Sequence, residues 1–258
     1  MATIQSEVGK IKVFEDFLGA EHLVAATTAT GALGELRIIG SGMSDGTDAG
    51  LTILEADPCL NGVGRLLATD EDLHSGGITT GLMFNPALMG TLVLETRVQM
   101  DDLNTKQVFI GFSDLNADAQ TLEDSLVNID TGAPTTITNT ASDFCGFLLS
   151  SEATDDEDWH AVFNGGTTTA PTDSTTVDLD DDAVAAEWQV LRVEIDPNGT
   201  ARWYIDGVLL KTQEGAVSTA TTDYFAGQII VENLANTSST ESIDIDYLLI
   251  TANRDWTV

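Results

Sequence analysis

One stretch, Trp188–Lys211, constrains the fold more than any other part of this sequence. Apolar residues alternate with polar ones on both sides of the turn sequence Pro197-Asn198-Gly199, in which Gly199 suits a left-handed position of a three-residue hairpin loop. The register that this loop imposes pairs Leu191 with Ile205, Val193 with Trp203, Ile195 with Ala201 and Glu194 with Arg202. The apolar pairs then share one face and the opposite charges share the other, which stabilises the pairing. The stretch therefore predicts an antiparallel β-hairpin.

Strand-like alternation recurs along the rest of the chain, whereas convincing amphipathic helices do not. Further strands are predicted at Lys10–Phe17, Leu36–Ile39, Gly50–Glu55, Gly64–Thr69, Thr91–Met100, Gln107–Ser113, Phe144–Ser150, Trp159–Asn164, Tyr224–Glu232 and Ser242–Thr251. Many short strands joined by long polar connections are typical of an all-β, two-sheet antiparallel jelly-roll sandwich. A jelly roll places its first and last strands side by side, so we expect Lys10–Phe17 to lie beside Ser242–Thr251.

Three connections carry expectations of their own. The short link Asp101–Lys106 predicts that Thr91–Met100 and Gln107–Ser113 form a hairpin. Ala117–Asp130 is the best helix candidate, either as a short helix or as a single helical turn, because two of its leucines are four residues apart. Gly165–Asp182, rich in Thr, Gly and Asp, is expected to be a loop of low complexity.

The 258-residue chain is long enough to bury a core as one large all-β domain. No internal repeat and no linker divides the sequence. Residues 1–90 are expected to supply an N-terminal strand and an Ala/Gly/Thr-rich assembly arm integrated with the jelly roll, and residues 91–258 its main part. Cys59 and Cys145 lack a CxxC spacing, so both are expected to be buried free thiols and not metal or redox groups.

The charge balance excludes several classes of partner. Only 10 basic residues stand against 42 acidic ones, a net charge of −32, and residues 107–191 contain 17 acids without a single Lys or Arg. Nucleic acid and anionic membranes require clustered basic side chains, so neither is an expected partner. A solvated acidic surface is expected, which suits a salty medium, cations or a basic partner. Neither a signal-peptide pattern nor an apolar run of membrane length is present, so synthesis in a cytoplasm is expected.

Four segments together resemble a known family. They are TLVLETRVQMDDLNTKQVFIGFSD from Thr91, FCGFLLSSEATDDEDWHAVFNGG from Phe144, EWQVLRVEIDPNGTARWYIDGVLL from Glu187 and SIDIDYLLI from Ser242. In order and spacing they resemble the concanavalin A-like lectin/glucanase jelly roll, in its laminin-G-like branch. Versions of this domain without leader sequences occur in head-decoration, head-fibre and tail proteins of tailed bacteriophages. The resemblance implies the fold directly and a virion role more loosely.

Enzymes of this superfamily that cleave glucans carry Glu-x-Asp-x-x-Glu on one strand, which sets a nucleophile and an acid/base on one face of the cleft. The nearest match here, Glu194-Ile195-Asp196, has Gly199 at the third acidic position, so no second catalytic glutamate is available. No GxSxG motif, phosphate loop or dinucleotide fingerprint is present, and His22, His74 and His160 share no metal-ligand spacing. The sequence therefore predicts a protein that is not an enzyme.

Laminin-G-like domains often bind calcium at the sheet rim, so the resemblance raises the question of a cation. Asp178–Asp182 mimics the start of an EF-hand loop, but Ala183 and Gln189 stand where that loop requires Gly and Glu. The candidate oxygen ligands lie in two other loops and are Asp155, Asp156 and Asp158 in one and Asp45 and Asp48 in the other. A hydrated acidic run without an ion is the favoured interpretation, so no cofactor is assigned and calcium stays a candidate.

These observations favour a non-enzymatic virion structural protein, most of all a capsid decoration or cement protein that binds the major capsid protein and its own copies as a homo-oligomer. The first alternative is a carbohydrate-binding, lectin-like module of a virion or adhesin. Trp159, beside the acidic loop, is its candidate glycan platform, whereas Trp188 and Trp203 are expected in the core. The second alternative, a polysaccharide-degrading enzyme, is disfavoured because the scarcity of Lys and Arg leaves no basic cleft for acidic polysaccharides.

Overall fold

The structure, a computed structural model, describes residues 3–4, 9–18, 31–42, 50–54, 62–131, 135–235 and 239–255. Its strands, in chain order, are β1 Thr3–Ile4, β2 Lys10–Glu15, β3 Gly31–Leu33, β4 Leu36–Ile39, β5 Gly50–Leu54, β6 Val63–Ala68, β7 Ser75–Thr79, β8 Leu92–Gln99, β9 Lys106–Ser113, β10 Val127–Asp130, β11 Thr136–Asn139, β12 Phe144–Ser150, β13 Asp158–Asn164, β14 Asp178–Asp182, β15 Gln189–Ile195, β16 Ala201–Ile205, β17 Val208–Gln213, β18 Ala226–Asn233 and β19 Glu241–Asn253. One short helix, α1, spans Pro86–Met89, and a 3₁₀ turn spans Ser174–Thr176.

Within the described residues the strands form two large antiparallel sheets. Sheet I has nine strands in the order β1-β2-β19-β8-β15-β16-β17, with β6 also paired to β19 and β5 paired to β6. Sheet II has eight strands in the order β14-β13-β12-β9-β18-β7-β4-β3, and β10 and β11 form a separate two-stranded sheet. The predicted all-β, two-sheet jelly-roll sandwich is confirmed.

Aromatic and aliphatic side chains from the facing surfaces of the two sheets fill one core. Trp203 of sheet I is fully buried, lies 6.2 Å from the ring of Phe163 in sheet II, and donates its indole N–H to the Gly146 carbonyl at 2.8 Å. A buried tryptophan needs a partner for its N–H, and here the partner is the backbone of the opposite sheet. This hydrogen bond and ring contact fix how the sheets stack.

The predicted hairpin is confirmed in its predicted register. Glu194 lies opposite Arg202, and each apolar pair falls where the alternation placed it. Gly199 has a φ of +77°, and a Cβ at this position would lie 2.6 Å from the Val217 carbonyl oxygen. Both the left-handed backbone and the close approach require glycine at the turn.

The predicted closure of the jelly roll is also observed, because β2 pairs antiparallel with β19 and places Val13 opposite Ile250. Strands from residues 1–90 enter both sheets: β2 and β6 flank β19 in sheet I, and β4 and β7 extend sheet II. Much of the Ala/Gly/Thr-rich segment lies outside the described residues, so the assembly arm stays a prediction.

The expected hairpin between Thr91–Met100 and Gln107–Ser113 is wrong. β8 pairs with β15 and β19 in sheet I, whereas β9 pairs with β12 and β18 in sheet II. Residues 100–105 therefore cross from one sheet to the other. The burial of the two strands is consistent with their lying in different sheets. In β8 buried residues alternate with half-buried ones, because its outer face meets solvent, whereas every residue of β9 is buried.

Of two further expectations, one is met through its second alternative and the other needs correction. In Ala117–Asp130 the Leu126 N–H donates to the Leu122 carbonyl at 2.9 Å, which closes a single helical turn, and Val127–Asp130 is strand β10. A short helix is costly to nucleate, so the burial of both leucines against sheet II decides the local structure. Gly165–Asp182 is not all loop, since it contains the 3₁₀ turn and the edge strand β14.

Candidate functional site

The strand that comes closest to the glucanase motif holds its carboxylates in ion pairs. Glu194 contacts the Arg192 guanidinium and lies 3.4 Å from Arg202, and the Tyr204 hydroxyl donates to it at 3.3 Å. Asp196 pairs with Arg202 and accepts a hydrogen bond from the Thr91 hydroxyl at 3.0 Å.

These contacts favour the charged form of Asp196 on the outer face of the hairpin. The hydrogen bond from Arg202 lowers the pKa of Asp196 below its ordinary value. A general acid for glycoside hydrolysis must hold a proton near neutral pH, which requires a raised pKa. Asp196 therefore does not meet this requirement, and Glu194 and Asp196 lie together in a charge network with Arg192 and Arg202.

The same network continues across sheet I. Arg97 pairs with Asp246 at 2.9 Å and lies 4.9 Å from the ring centre of Trp188, while the Tyr247 hydroxyl donates to Glu95 at 2.9 Å. The expectation that Trp188 lies in the core is wrong: it is half-buried, because Arg97 packs against its ring on the solvent side. Trp203 lies in the core as predicted.

Across the central strands β12, β9, β18 and β7, the outer face of sheet II is buried as completely as its core face. Two rows of apolar side chains cross its central strands, Leu148–Phe109–Ile230 as neighbours on the outer face and Phe147–Ile110–Ile229 as neighbours on the core face. All six are fully buried. The outer row lies beneath residues 115–131 and 135–141, which we call the covering segment.

Polar side chains on the same outer face bind the backbone and side chains of the covering segment. Gln107 donates to the Val127 carbonyl at 2.9 Å, and Gln228 donates to the Leu115 carbonyl at 2.7 Å and accepts from the Gln120 amide at 3.0 Å. The carboxylate of Glu232 accepts the N–H groups of Leu122 and Glu123 at 2.6 and 2.8 Å. Buried polar groups that are satisfied in this way hold a segment in one position. The broad face of sheet II is therefore closed to a ligand.

Trp159 does not form an exposed platform, so its assignment as the glycan-stacking residue is wrong. The side chain is fully buried, packs edge-to-face on Phe147 at 6.1 Å and donates its N–H to Gln189 at 3.0 Å. It lies on the core face of β13, whereas Asp158 and His160 on either side of it point outward. The alternation of the strand decides this, since neighbouring side chains point to opposite faces.

Three carboxylates meet at the outer edge of sheet II. Oxygen atoms of Asp155, Asp158 and Asp178 all lie within 4.8 Å of one another. Asp155 belongs to the acidic loop Glu152–Asp158, Asp158 begins β13, and Asp178 begins the neighbouring strand β14. We call this group the acidic trio.

The trio concentrates negative charge, and Lys211 is near enough to interact electrostatically with Asp178 without forming an ion pair with it in the described part of the chain. Burial, followed by the nearby carboxyl groups of Asp182 and Asp178, raises the pKa of Asp158 to about 7. One buried oxygen of Asp158 and the Nδ1 atom of His160, which lies opposite Asp178 in the strand register, have no hydrogen-bond partner. Oxygen ligands in this arrangement fit a hard cation such as Ca²⁺, which takes six to eight of them.

The structure thus brings together two of the predicted ligands and adds one. Asp155 and Asp158 meet as expected, Asp156 is not part of the trio, and Asp45 and Asp48 lie outside the described residues. The sequence does not indicate Asp178 as a partner, because the composition of Gly165–Asp182 predicts a loop. The period-two spacing of Asp178, Asp180 and Asp182 was the available signal for an edge strand.

The remaining candidates have ordinary structural roles. His74 lies 2.9 Å from Glu71, His160 is buried, and His22 lies outside the described residues. Cys145 is a buried free thiol as predicted, and burial raises its pKa, whereas Cys59 lies outside the described residues. No helix in the described part of the chain is long and apolar enough to span a membrane.

Comparison with solved structures identifies the architecture. A protein of unknown function from Shewanella oneidensis MR-1 matches with a TM-score of 0.57 at 14% sequence identity, covering 99% of this chain and 91% of that one. A point mutant of the carbohydrate recognition domain of Emp46p matches with a TM-score of 0.51 at 12% identity, covering 87% of this chain and 89% of that one. The fold is a concanavalin A-like jelly roll.

The carbohydrate recognition domain of Emp47p is similar to the same degree, with a TM-score of 0.51 at 11% identity over 89% of this chain and 93% of that one. At identities this low, the structural match shows a shared fold and gives no information about ligands. No protein-family model matches the sequence, and no curated protein matches it.

Proposed function

We propose that this protein is a non-enzymatic structural protein of a virion, a decoration protein that binds the capsid shell and copies of itself. The observation that carries the proposal is the closed outer face of sheet II. A ligand cleft on a sheet needs an open face with convergent polar groups, and here the polar groups on the central strands of sheet II bind the covering segment instead. A jelly roll closed in this way serves as a rigid block.

The charge distribution supports the same role. The carboxylates nearest to a glucanase motif, Glu194 and Asp196, are held by arginines, so the position that comes closest to a catalytic one is occupied by structural ion pairs. A net charge of −32 keeps a surface-mounted block soluble and suits a basic docking partner.

Mass spectrometry of purified particles from a phage that encodes this chain tests the proposal. We expect hundreds of copies per particle, and a handful of copies would move the protein to a tail or fibre. Absence from washed, infectious particles would end the proposal. A parallel screen of the purified protein for release of reducing ends from a panel of polysaccharides should give no signal above buffer, and turnover would contradict the non-enzymatic assignment.

A second candidate, cation-dependent carbohydrate binding, is favoured by the acidic trio. A divalent cation would relieve the repulsion between Asp155, Asp158 and Asp178 and would present open coordination positions at the sheet edge, where sugar hydroxyls bind such ions. We expect Ca²⁺ to raise the melting temperature and Asp178→Asn to abolish that rise. Asp180→Asn, an exposed acid outside the trio, is the matched control.

A glycan array probed with and without calcium then separates the two functions. Calcium-dependent hits that disappear in Asp178→Asn would favour the lectin-like role. A calcium shift in melting temperature without hits would leave the trio as a stabilising site in a structural block. The absence of both would remove this second candidate.

A further inference from the structure

The few basic side chains of this acidic protein divide into two groups. Six of the ten are in ion pairs: Arg37, Arg65, Arg97, Lys106, Arg192 and Arg202. Four make no ion pair with any carboxylate in the described part of the chain: Lys10, Lys12, Lys211 and Arg254. Cations without an ion pair among the described residues of so acidic a chain indicate positions where attraction to negative charge is still available.

Three of these four cations surround one continuous depression. Lys10 and Lys12 line a groove of about 460 Å³ on the outer face of sheet I, together with Thr91, Thr251 and Asn253. An adjoining pocket of about 320 Å³ shares Ile11 with the groove and includes Arg254 and Asp255, so the two pockets together hold three cations and one carboxylate. We call the two together the basic groove.

The basic groove also exposes apolar surface. Met83 and Tyr224 in the adjoining pocket are 46% and 50% exposed, and Leu82 beside them is 42% exposed. Exposed apolar side chains that adjoin polar and charged groups are typical of interaction sites. The depression therefore offers unpaired positive charge and apolar contact area in one place.

The basic groove and the acidic loop Glu152–Asp158 lie at opposite ends of the sandwich. The loop directly follows Ser150, which lies opposite Gln107 near the start of β9. Residues 100–105 join the end of β8 to the start of β9, so the start of β8, next to Thr91, lies at the other end. A single subunit therefore cannot bring its own acidic loop into its own basic groove.

The end with the acidic loop is strongly negative. The pKa values of Glu123 and Glu152 are raised by burial and by the nearby carboxylates of Asp72 and Asp130. Residues 154–157 at the tip of the loop are exposed. An acidic protrusion and a basic depression thus occur at opposite ends of one molecule.

We propose that the basic groove receives the acidic loop of a second copy of the chain, so that copies associate head to tail. Charge complementarity selects this occupant, and the exposed apolar rim supplies contact area beyond the ion pairs. A contact between two different surfaces of identical subunits is heterologous, so it closes into a ring or continues as a filament. The inference deepens the proposed structural role by naming the surface through which copies meet.

Sedimentation velocity over a concentration series tests the contact, with 150 mM salt to screen the net repulsion beyond about 8 Å. We expect concentration-dependent oligomers that decrease at 500 mM salt. Lys12→Gln should weaken association about threefold to fivefold, as expected for the loss of one exposed charge pair. Arg37→Gln makes the same charge change on a cation that pairs with Asp118, outside both the groove and the acidic loop, and should leave association unchanged. A wild-type protein that stays monomeric throughout would overturn the inference.

A charge-reversed pair provides the stricter test. Two double variants are needed: one reverses the groove, Lys10→Glu with Lys12→Glu, and the other reverses the loop, Asp155→Lys with Asp156→Lys. Each double variant alone should be monomeric and should retain a cooperative melting transition. Mixed together they should form a one-to-one complex, because the reversed loop of one fits the reversed groove of the other. Self-association of either variant alone, or no complex on mixing, would contradict the contact. The copy number in particles is measured in a separate experiment. The virion role can therefore fail while the contact between copies is confirmed, and the contact can fail while the virion role is confirmed.

Discussion

The outer faces of the two sheets differ in what lies against them. Sheet I presents a network of arginines, carboxylates and tyrosines to solvent, whereas sheet II presents apolar side chains and amides to the covering segment. The two sheets form two layers throughout the sandwich. Where the covering segment lies on sheet II, it adds a third layer. The difference shows that a jelly roll can lose an open face without changing its topology.

The largest expected effect is on the covered face. Phe109→Ala removes a fully buried ring that packs edge-to-face on Phe144 at 6.4 Å, and should lower the free energy of unfolding by about 3–5 kcal/mol. Val93→Ala on the solvent face of sheet I should cost less than about 1 kcal/mol. Chemical denaturation measures both. Equal costs would mean that the outer face of sheet II is not a packed layer.

Glu232 should make stability depend on pH. Burial raises its pKa to about 7 from 4.5 in spite of two backbone hydrogen bonds. Because the folded state holds the proton more tightly, this stabilisation is complete below about pH 4.5 and is lost as the pH rises through about 7. The resulting change in the free energy of unfolding is at most about 3.5 kcal/mol, at about 1.4 kcal/mol for each pH unit between 4.5 and about 7.

Glu232→Gln removes the titration and keeps one acceptor oxygen for the Leu122 and Glu123 N–H groups, which bind different oxygens of the carboxylate, so some stability is lost at every pH. The free energy of unfolding of this variant should therefore vary less between pH 5 and pH 8 than that of the wild type. Glu157→Gln, at an exposed position, serves as the control. Parallel pH profiles for all three proteins would show that Glu232 does not titrate in this range.

The amide bridge between sheet II and the covering segment should have an intermediate effect. Gln228→Leu leaves the Leu115 carbonyl and the Gln120 amide without their partner, which costs about 1–3 kcal/mol for buried polar groups. Hydrogen exchange should show faster opening of residues 115–131 than in the wild type, with little change in sheet I. Uniform acceleration in both sheets would argue that the covering segment is not a separate layer.

The smallest expected effect is on the solvent face of sheet I. Arg202→Gln removes ion pairs with Glu194 and Asp196 that are partly exposed, so the loss should be about 0.5–1 kcal/mol and should shrink in high salt. Thermal melting at two salt concentrations measures it. A loss as large as that of Phe109→Ala would mean that the charge network, and not the core, holds sheet I together.

The comparison also explains which predictions could be made from sequence. The hairpin around Gly199 was predictable in register because its turn, its alternation and its cross-strand charges are local and one of its faces meets solvent. The pairing of β8 and β9 was not, because a six-residue link between two strands can form a hairpin or cross between sheets. Only the uniform burial of β9 distinguishes these, and that burial depends on the distant covering segment.

The candidate site was predictable to a similar extent. Asp155 and Asp158 are close in sequence and were recognised together, but their meeting with Asp178 depends on the edge pairing of β13 with β14. The placement of Trp159 required knowing which residues of β13 point outward. The acidic residues before Trp159 indicate an exposed loop. The tryptophan itself is the first residue of β13 that points into the core, where it packs on Phe147.

Strand β19 has a consequence for how the protein is made. It pairs with β2, β6 and β8, yet it is synthesised more than two hundred residues after β2. Until β19 emerges from the ribosome, the strands that flank it in sheet I have open edges, and open edges invite pairing between chains. The centre of sheet I therefore forms late and from distant contacts, which predicts slow folding and places the main risk of aggregation in the nascent chain.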